Sequence, residues 1–186
     1  MSNVPKPNPN RNYPYLSIEK VSLNEYIRSM KQYGHTEFLD YDKIAEPERK
    51  TKYSAGYDFV TPITISLRPN EKIVVPLGYK VKCEATGIYF ALFLRSSIAS
   101  NYGIMMMNNV GIIDADYYNN PSNEGHMFAP LVNLSSEKVI IPKGTRICQG
   151  IFHNYFITDN DNGGSTIRTG GMGSTGKWYR NIIILF

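Results

Sequence analysis

From residue 38 onward, turn formers interrupt this sequence every several residues, which leaves room for short strands and little for long helices. Residues 61–67 set apolar Ile63, Ile65 and Leu67 between polar neighbours, and Pro69-Asn70 turns the chain into the apolar stretch 72–76. Tyr79, Val81 and Cys83 alternate again before the turn at 84–87. Residues 88–94 are continuously apolar, the pattern of a strand buried on both faces. In Ile104-Met105-Met106-Met107 the methionines suit core filling rather than a metal site. Strands over 138–141 and 146–156, joined by the turn Pro142-Lys143-Gly144-Thr145, complete the set. Such a series predicts an all-β domain over 38–160, a sandwich or a jelly roll.

The two ends of the chain differ from this middle. Residues 1–15 are dominated by Pro and Asn and bury too little to offset the entropy of ordering them, so a mobile tail is expected. Ser22-Leu23-Asn24-Glu25 matches a capping box, and Leu23, Tyr26, Ile27, Met30 and Tyr33 follow at helical spacing until Gly34. The extension 1–37 is therefore read as a disordered tail plus a short amphipathic helix, whose apolar stripe lies on the main domain or docks a partner. Residues 158–176 are rich in Gly, Asn and Thr without a core pattern. They predict a flexible arm within 161–186, and the chain closes on the apolar stretch 182–186.

Charge and cysteine usage exclude some classes. The net charge of +4 is spread without a basic block, which points weakly to an anionic small molecule and away from nucleic acid. Cys83 and Cys148, the only cysteines, each sit in a strand-like run, which suits buried free thiols in a reducing compartment. No stretch approaches the roughly 20 apolar residues of a membrane span, and the N-terminus lacks a signal-peptide pattern. A soluble cytoplasmic protein without membrane contact is expected.

The chemistry concentrates around residues 108–118. A strand ends in Ile112-Ile113-Asp114, followed by aromatic rings and the turn formers of 119–125, which predicts a strand, a long hairpin tip and a strand returning from Met127. Asp114 suits a general base facing a small polar ligand, or a loop carboxylate capping its own turn. Arg95-Ser96-Ser97 directly follows the apolar strand and offers a planar fork and two hydroxyls to an anion, or forms an ordinary polar loop. Gln149 interrupts an apolar strand and needs a partner, either a backbone group or a ligand. His35, His126 and His153 show no metal spacing with the cysteines, which favours surface or structural roles. Gly171-Met172-Gly173-Ser174-Thr175-Gly176 spells a dinucleotide fingerprint and most of a P-loop, yet lacks the strand before and helix after that either requires. The segment is left as a linker, or as a backbone that wraps phosphates with Arg168, Ser174 and Thr175 adding donors.

The order of these pieces carries more than any one of them. Ser54-Ala55-Gly56-Tyr57-Asp58-Phe59, Arg95-Ser96-Ser97, the stretch 111–117, the stretch 144–149 and the stretch 168–176 resemble, in sequence order, the five motifs of the homotrimeric deoxyuridine triphosphatases, or dUTPases. The resemblance spans about residues 38–177 and implies a jelly roll that hydrolyses dUTP to dUMP and pyrophosphate with Mg²⁺ on the triphosphate. It implies that Asp114 draws a proton from water, and that Tyr117 lies under the deoxyribose and excludes a 2′-hydroxyl. Asn108, Gly111, Ile112 and Ile113 correspond to the uracil pocket, and Arg95, Ser96, Ser97 and Gln149 to the phosphate site. Asp58 corresponds to a supporting acid, and Arg168, Gly171, Met172, Gly173, Ser174 and Thr175 to the arm that closes over the γ-phosphate. Each site in such a homotrimer draws on three subunits. Met172 stands where the family usually has an aromatic residue, and the tip at 119–126 is longer than in common members. A dCTP deaminase-like enzyme is the nearest alternative, but its catalytic Glu before the strand Asn has no counterpart in Phe128-Ala129-Pro130-Leu131-Val132, ahead of Asn133. A nucleotide-sensing regulator acting through a protein partner is the other.

Overall fold

The computed structural model describes residues 14–163 together with Arg168 and Gly170. In chain order these form β1 (Leu16–Lys20), helix α1 (Leu23–Gln32), β2 (Tyr57–Val60), β3 (Ile65–Leu67), β4 (Lys72–Pro76), β5 (Tyr79–Cys83), β6 (Ile88–Leu94), helix α2 (Ser96–Tyr102), β7 (Ile104–Met106), β8 (Val110–Ile113), β9 (Phe128–Asn133), β10 (Val139–Ile141) and β11 (Arg146–Asn154). The strands build a jelly roll from a four-stranded sheet in the order β2-β11-β6-β8, a three-stranded sheet β4-β9-β7, and the pairs β1-β5 and β10-β3. Every pairing is antiparallel. One core joins the sheets: Phe59, Ile65, Val75, Phe90, Leu92, Met106, Leu131, Ile141 and Ile147 are all buried in a single cluster. No helix among the described residues is long and apolar enough to cross a membrane.

Several local expectations change once long-range contacts are in view. The stretches before and after residues 114–127 do not pair with each other: β8 lies against β6, and β9 lies between β4 and β7. The segment is therefore a connection between two sheets rather than a hairpin tip. Of the methionine run only Met106 fills the core, while Met105 and Met107 are exposed, as strand alternation requires. β6 is fully buried only at Phe90, Ala91 and Leu92; its ends are half-exposed. Arg95-Ser96-Ser97 is not a loop, because Ser96 opens α2, which Gly103 ends in the left-handed region at φ 63°. The extension also contributes a strand, since Leu16 to Lys20 pairs with Cys83 to Tyr79 of β5.

Helix α1 forms where its spacing predicts, with Tyr26 and Met30 in the core. Ser22 accepts from the Glu25 amide at 3.1 Å, the first half of a capping box. The second half is supplied from far away, because Glu25 turns inward and the Glu124 carboxylate instead accepts from Ser22 N at 2.9 Å and Ser22 Oγ at 2.6 Å. Both cysteines are free, Cys148 buried and Cys83 partly so. Burial pushes the Cys148 thiol up to about 12, so it is neutral and inert.

Candidate active site

The site residues gather at opposite ends of β6. At its start, β8 ends in Ile113, paired with Phe90, and the chain leaves the sheet at Asp114. Asp114 precedes a single helical turn, Ala115–Tyr117, with extended backbone (φ −73°, ψ 157°) and no side-chain capping bond. Its side chain is half-exposed. That disposes of the turn-capping alternative and leaves a carboxylate facing solvent beside a cleft of about 330 Å³. Asn108, Gly111, Ile112, Ile113, Asp114, Tyr117 and Arg168 all line this cleft, with Leu92, His126, Met127 and Phe128 behind them. Gly111 keeps the wall thin, since a Cβ there would lie 3.3 Å from Leu92 Cβ.

Tyr117 forms the floor and is held at its far end. Its hydroxyl donates to the His126 carbonyl at 3.0 Å and accepts from Asn123 Nδ2 at 2.7 Å. With both hydroxyl positions used inside the protein, the ring presents only its apolar surface. Arg168 crosses the mouth: its Nη2 donates to Asp114 Oδ2 at 3.1 Å, its amide donates to Asp116 Oδ2 at 3.3 Å, and its guanidinium lies 5.4 Å from the Tyr117 ring centroid.

At the other end of β6 lies a polar recess of about 270 Å³, lined by Lys50, Ser54, Gly56, Asp58, Arg95, Ser96 and Gln149. Asp58 organises it, accepting from Arg95 Nε and Arg146 Nη1, each at 3.1 Å. The Arg95 amide also donates to the Ile147 carbonyl at 2.9 Å. A register shift between Arg146 and Cys148, where β11 meets β2, marks a bulge that aims Arg146 at Asp58. Gln149 lies across from Asp58 in the ladder, and its amide sits so close to Gly56 that a Cβ there would meet Oε1 at 2.9 Å. Ser96 and Ser97 are exposed on the first turn of α2. Gly171, Met172, Gly173, Ser174 and Thr175 lie outside the described residues.

The two groups are not one site within one chain. Asp114 lies one step past the Ile113–Phe90 pair, opposite Tyr89, while Arg95 follows the far end of β6, six residues later. At a strand rise of about 3.3 Å per residue, they are about 20 Å apart. His126 and Phe128 line the cleft and Asn123 holds the Tyr117 hydroxyl from behind it, roles that the sequence does not show; the spacing of His126 suits a surface or structural role, and nothing in it points to Tyr117.

An uncapped acid paired with Arg168 at the lip of a cleft floored by one ring, with anion donors collected elsewhere on the same sheet, suits a hydrolase for a small anionic ligand. Known proteins narrow that class. The dUTPase family model matches residues 42–176. The deoxyuridine 5′-triphosphate nucleotidohydrolase of Lactococcus lactis is 44% identical over 131 residues, 70% of this chain and 87% of its own. The corresponding protein of Desulfitobacterium hafniense is 32% identical over 136 residues, 70% of this chain and 86% of its own. Among solved structures, the dUTPase of Streptococcus mutans superposes with a TM-score of 0.61 at 32% identity, covering 77% of this chain and 99% of that one. The chain belongs to the dUTPase family.

Proposed function

We propose that this chain is a dUTP diphosphatase in which Asp114 activates the water that attacks the α-phosphorus of dUTP. The observation that carries the reading is the placement of Asp114, uncapped and half-exposed at the lip of the cleft that Tyr117 floors. The main chain of 111–113 and the Asn108 side chain form the wall that reads uracil, and the Tyr117 ring leaves no partner for a 2′-hydroxyl. Proton transfer from water to the Asp114 carboxylate accompanies formation of the new P–O bond; the bond from the α-phosphorus to the bridging oxygen breaks, and pyrophosphate leaves. Arg168 pairs with Asp114 in the chain as it stands. An arriving triphosphate competes for that guanidinium, so substrate binding frees the carboxylate to act as a base.

Arg95, Ser96, Ser97 and Gln149 bind the phosphates, with Asp58 holding Arg95 in place. Because they lie at the far end of β6 from Asp114, they serve the site of a neighbouring protomer, which supports a homotrimer as the working assembly. In this reading Gly171, Met172, Gly173, Ser174 and Thr175 belong to the arm that acts on the γ-phosphate, and either Met172 or Trp178 covers the uracil face. Among the described residues no three of His, Cys, Asp and Glu gather as metal ligands; in this reading Mg²⁺ would be held on the triphosphate oxygens of the substrate. Held there, it would supply charge neutralisation for the pyrophosphate leaving group. The two free thiols fit a reducing, cytoplasmic setting.

The test is pyrophosphate release from dUTP against UTP, dTTP and dCTP, with and without Mg²⁺, by the full chain. Selective release from dUTP is expected. Ammonia from dCTP would instead identify a deaminase, and equal turnover of UTP would remove Tyr117 from its role.

A further inference from the structure

Helix α1 precedes the family match at 42–176, yet its side chains reach the residues that hold the Tyr117 hydroxyl. Glu25, 5% exposed, accepts from Ser29 Oγ at 2.7 Å and from Arg28 at 2.8 and 3.0 Å. Its Oε1 lies 3.1 Å from Nδ1 of His126, which is fully buried. The tautomer follows from the other ring nitrogen: Nε2 accepts from the Gly78 amide at 2.8 Å, so Nδ1 carries the proton and donates it to Glu25. Burial would raise the Glu25 carboxyl, but hydrogen bonds from His126, Arg28 and Ser29 outweigh it and bring it down to about 2. Burial also holds the His126 imidazole below its usual range, which fixes it as neutral.

From His126 the chain of contacts runs straight into the cleft. Its carbonyl receives the Tyr117 hydroxyl, its ring lies 4.6 Å from that of Phe128, and Phe128 in turn lies 5.4 Å from Tyr33, just beyond α1. A second route is parallel. Arg28 donates to the Ser122 carbonyl at 3.2 Å, Glu124 caps α1 at Ser22, and between them Asn120 and Asn123 bond to each other and to Tyr117.

We propose that α1 sets the position of the Tyr117 ring, and with it the preference for a 2′-deoxy sugar, through the Glu25–His126 contact, which makes Glu25 and His126 positioning residues of the nucleotide site. This rests on the reading of Tyr117 as the sugar-side wall. Neither residue touches the cleft through an ionised group, so their influence is on where the ring stands rather than on the chemical step. A ring displaced by a fraction of an ångström opens space for one hydroxyl, and discrimination against a single added hydroxyl is sensitive to such a change.

The experiment compares kcat and KM for dUTP and UTP in the full-length wild type, Glu25→Ala, Glu25→Gln and Met30→Ala. Glu25→Ala is expected to narrow the dUTP-to-UTP ratio of kcat/KM by about 5- to 10-fold, mostly through a higher KM for dUTP and a lower one for UTP. Glu25→Gln restores most of the ratio, because its amide oxygen still accepts from His126. Met30→Ala removes core packing from the same helix without touching these contacts. It lowers the melting temperature and leaves the ratio alone. A ratio unchanged in Glu25→Ala, or changed equally by Met30→Ala, overturns the proposal. Should Glu25→Ala not fold, Ser22→Ala removes the Oγ–Glu124 bond of the parallel route at an exposed position while the amide–Glu124 bond remains, and a shift of about 2-fold in the same direction is required. A wild type that does not hydrolyse dUTP refutes the assignment of the reaction itself, a result distinct from an active enzyme whose ratio ignores Glu25.

Discussion

The two ends of β6 are built on different plans. At the Asp114 end, the ring that floors the cleft is fixed by Asn123 and His126, and these are braced against α1 by Glu25, Arg28 and Glu124. At the Arg95 end, the guanidinium leans on a single carboxylate, Asp58, in an open polar recess. In the proposed reading the braced cleft takes base and sugar, whereas the Arg95 end supplies donors for phosphate. A braced wall suits discrimination between near-identical sugars, and donors in an open recess suit an anion that arrives and departs in every turnover.

The comparison breaks most visibly at the base. Asp114→Asn is expected to lower kcat by about 10³-fold or more while KM for dUTP changes little, because the general base is lost and the cleft remains. Single-turnover pyrophosphate release checks it, and a wild-type rate would mean that another group takes the proton. Next is Asp58→Asn at the opposite end. It leaves Arg95 and Arg146 close together without their shared counter-charge, and kcat/KM should fall about 10- to 100-fold with KM carrying most of the change. An equal loss in kcat at saturating dUTP would show that Asp58 acts on the chemical step.

Smaller effects sharpen the contrast in rigidity. Gly125 has φ 83°, and a Cβ there would lie 2.7 Å from the Tyr117 carbonyl. Gly125→Ala should therefore cost about 2 kcal/mol of stability in urea unfolding, and relax sugar selectivity more than it weakens phosphate binding. Smallest is the acid limb of stability. The folded-state pKa of Glu25 is lowered from 4.5 to about 2, so its contribution is full above 4.5 and fades as pH falls toward 2. That of His126 is lowered from 6.5, so its contribution is likewise full above 6.5 and declines below it. Melting temperature should drop by a few degrees from about pH 7 to pH 5, and the gap between wild type and Glu25→Gln should close below about pH 4. A gap that widens in acid would reverse the assigned sign.

Much of this molecule was legible in its sequence, and the failures share one cause. Alternation at Ile65–Leu67 and Tyr79–Cys83, and the apolar stretch Lys72–Pro76 after its turn, predict strands because each side chain responds to its own burial. The order of motifs named the family. Residues 114–127 misled because the local pattern of strand, turn formers, strand is the same whether the flanks pair together or leave for separate sheets. Glu25 misled for the same reason: three residues after Ser22 it satisfies a capping box on paper, yet a buried histidine 101 positions away outcompetes the helix end for its carboxylate. α2 was missed because seven residues give too few turns to show a period. The strand at Leu16–Lys20 was passed over because it follows directly on a Pro- and Asn-rich tail, and its stability comes from the edge of β5.

The placement of the two half-sites on one strand has a genetic corollary. In the proposed homotrimer, a chain that has lost its carboxylate still lends intact phosphate donors to its neighbours, and a chain without the arginine still lends its acid. Two inactive alleles, one damaged at Asp114 and the other at Arg95, should therefore yield mixed assemblies containing some whole catalytic centres, so that coexpression rescues what neither allele supports alone.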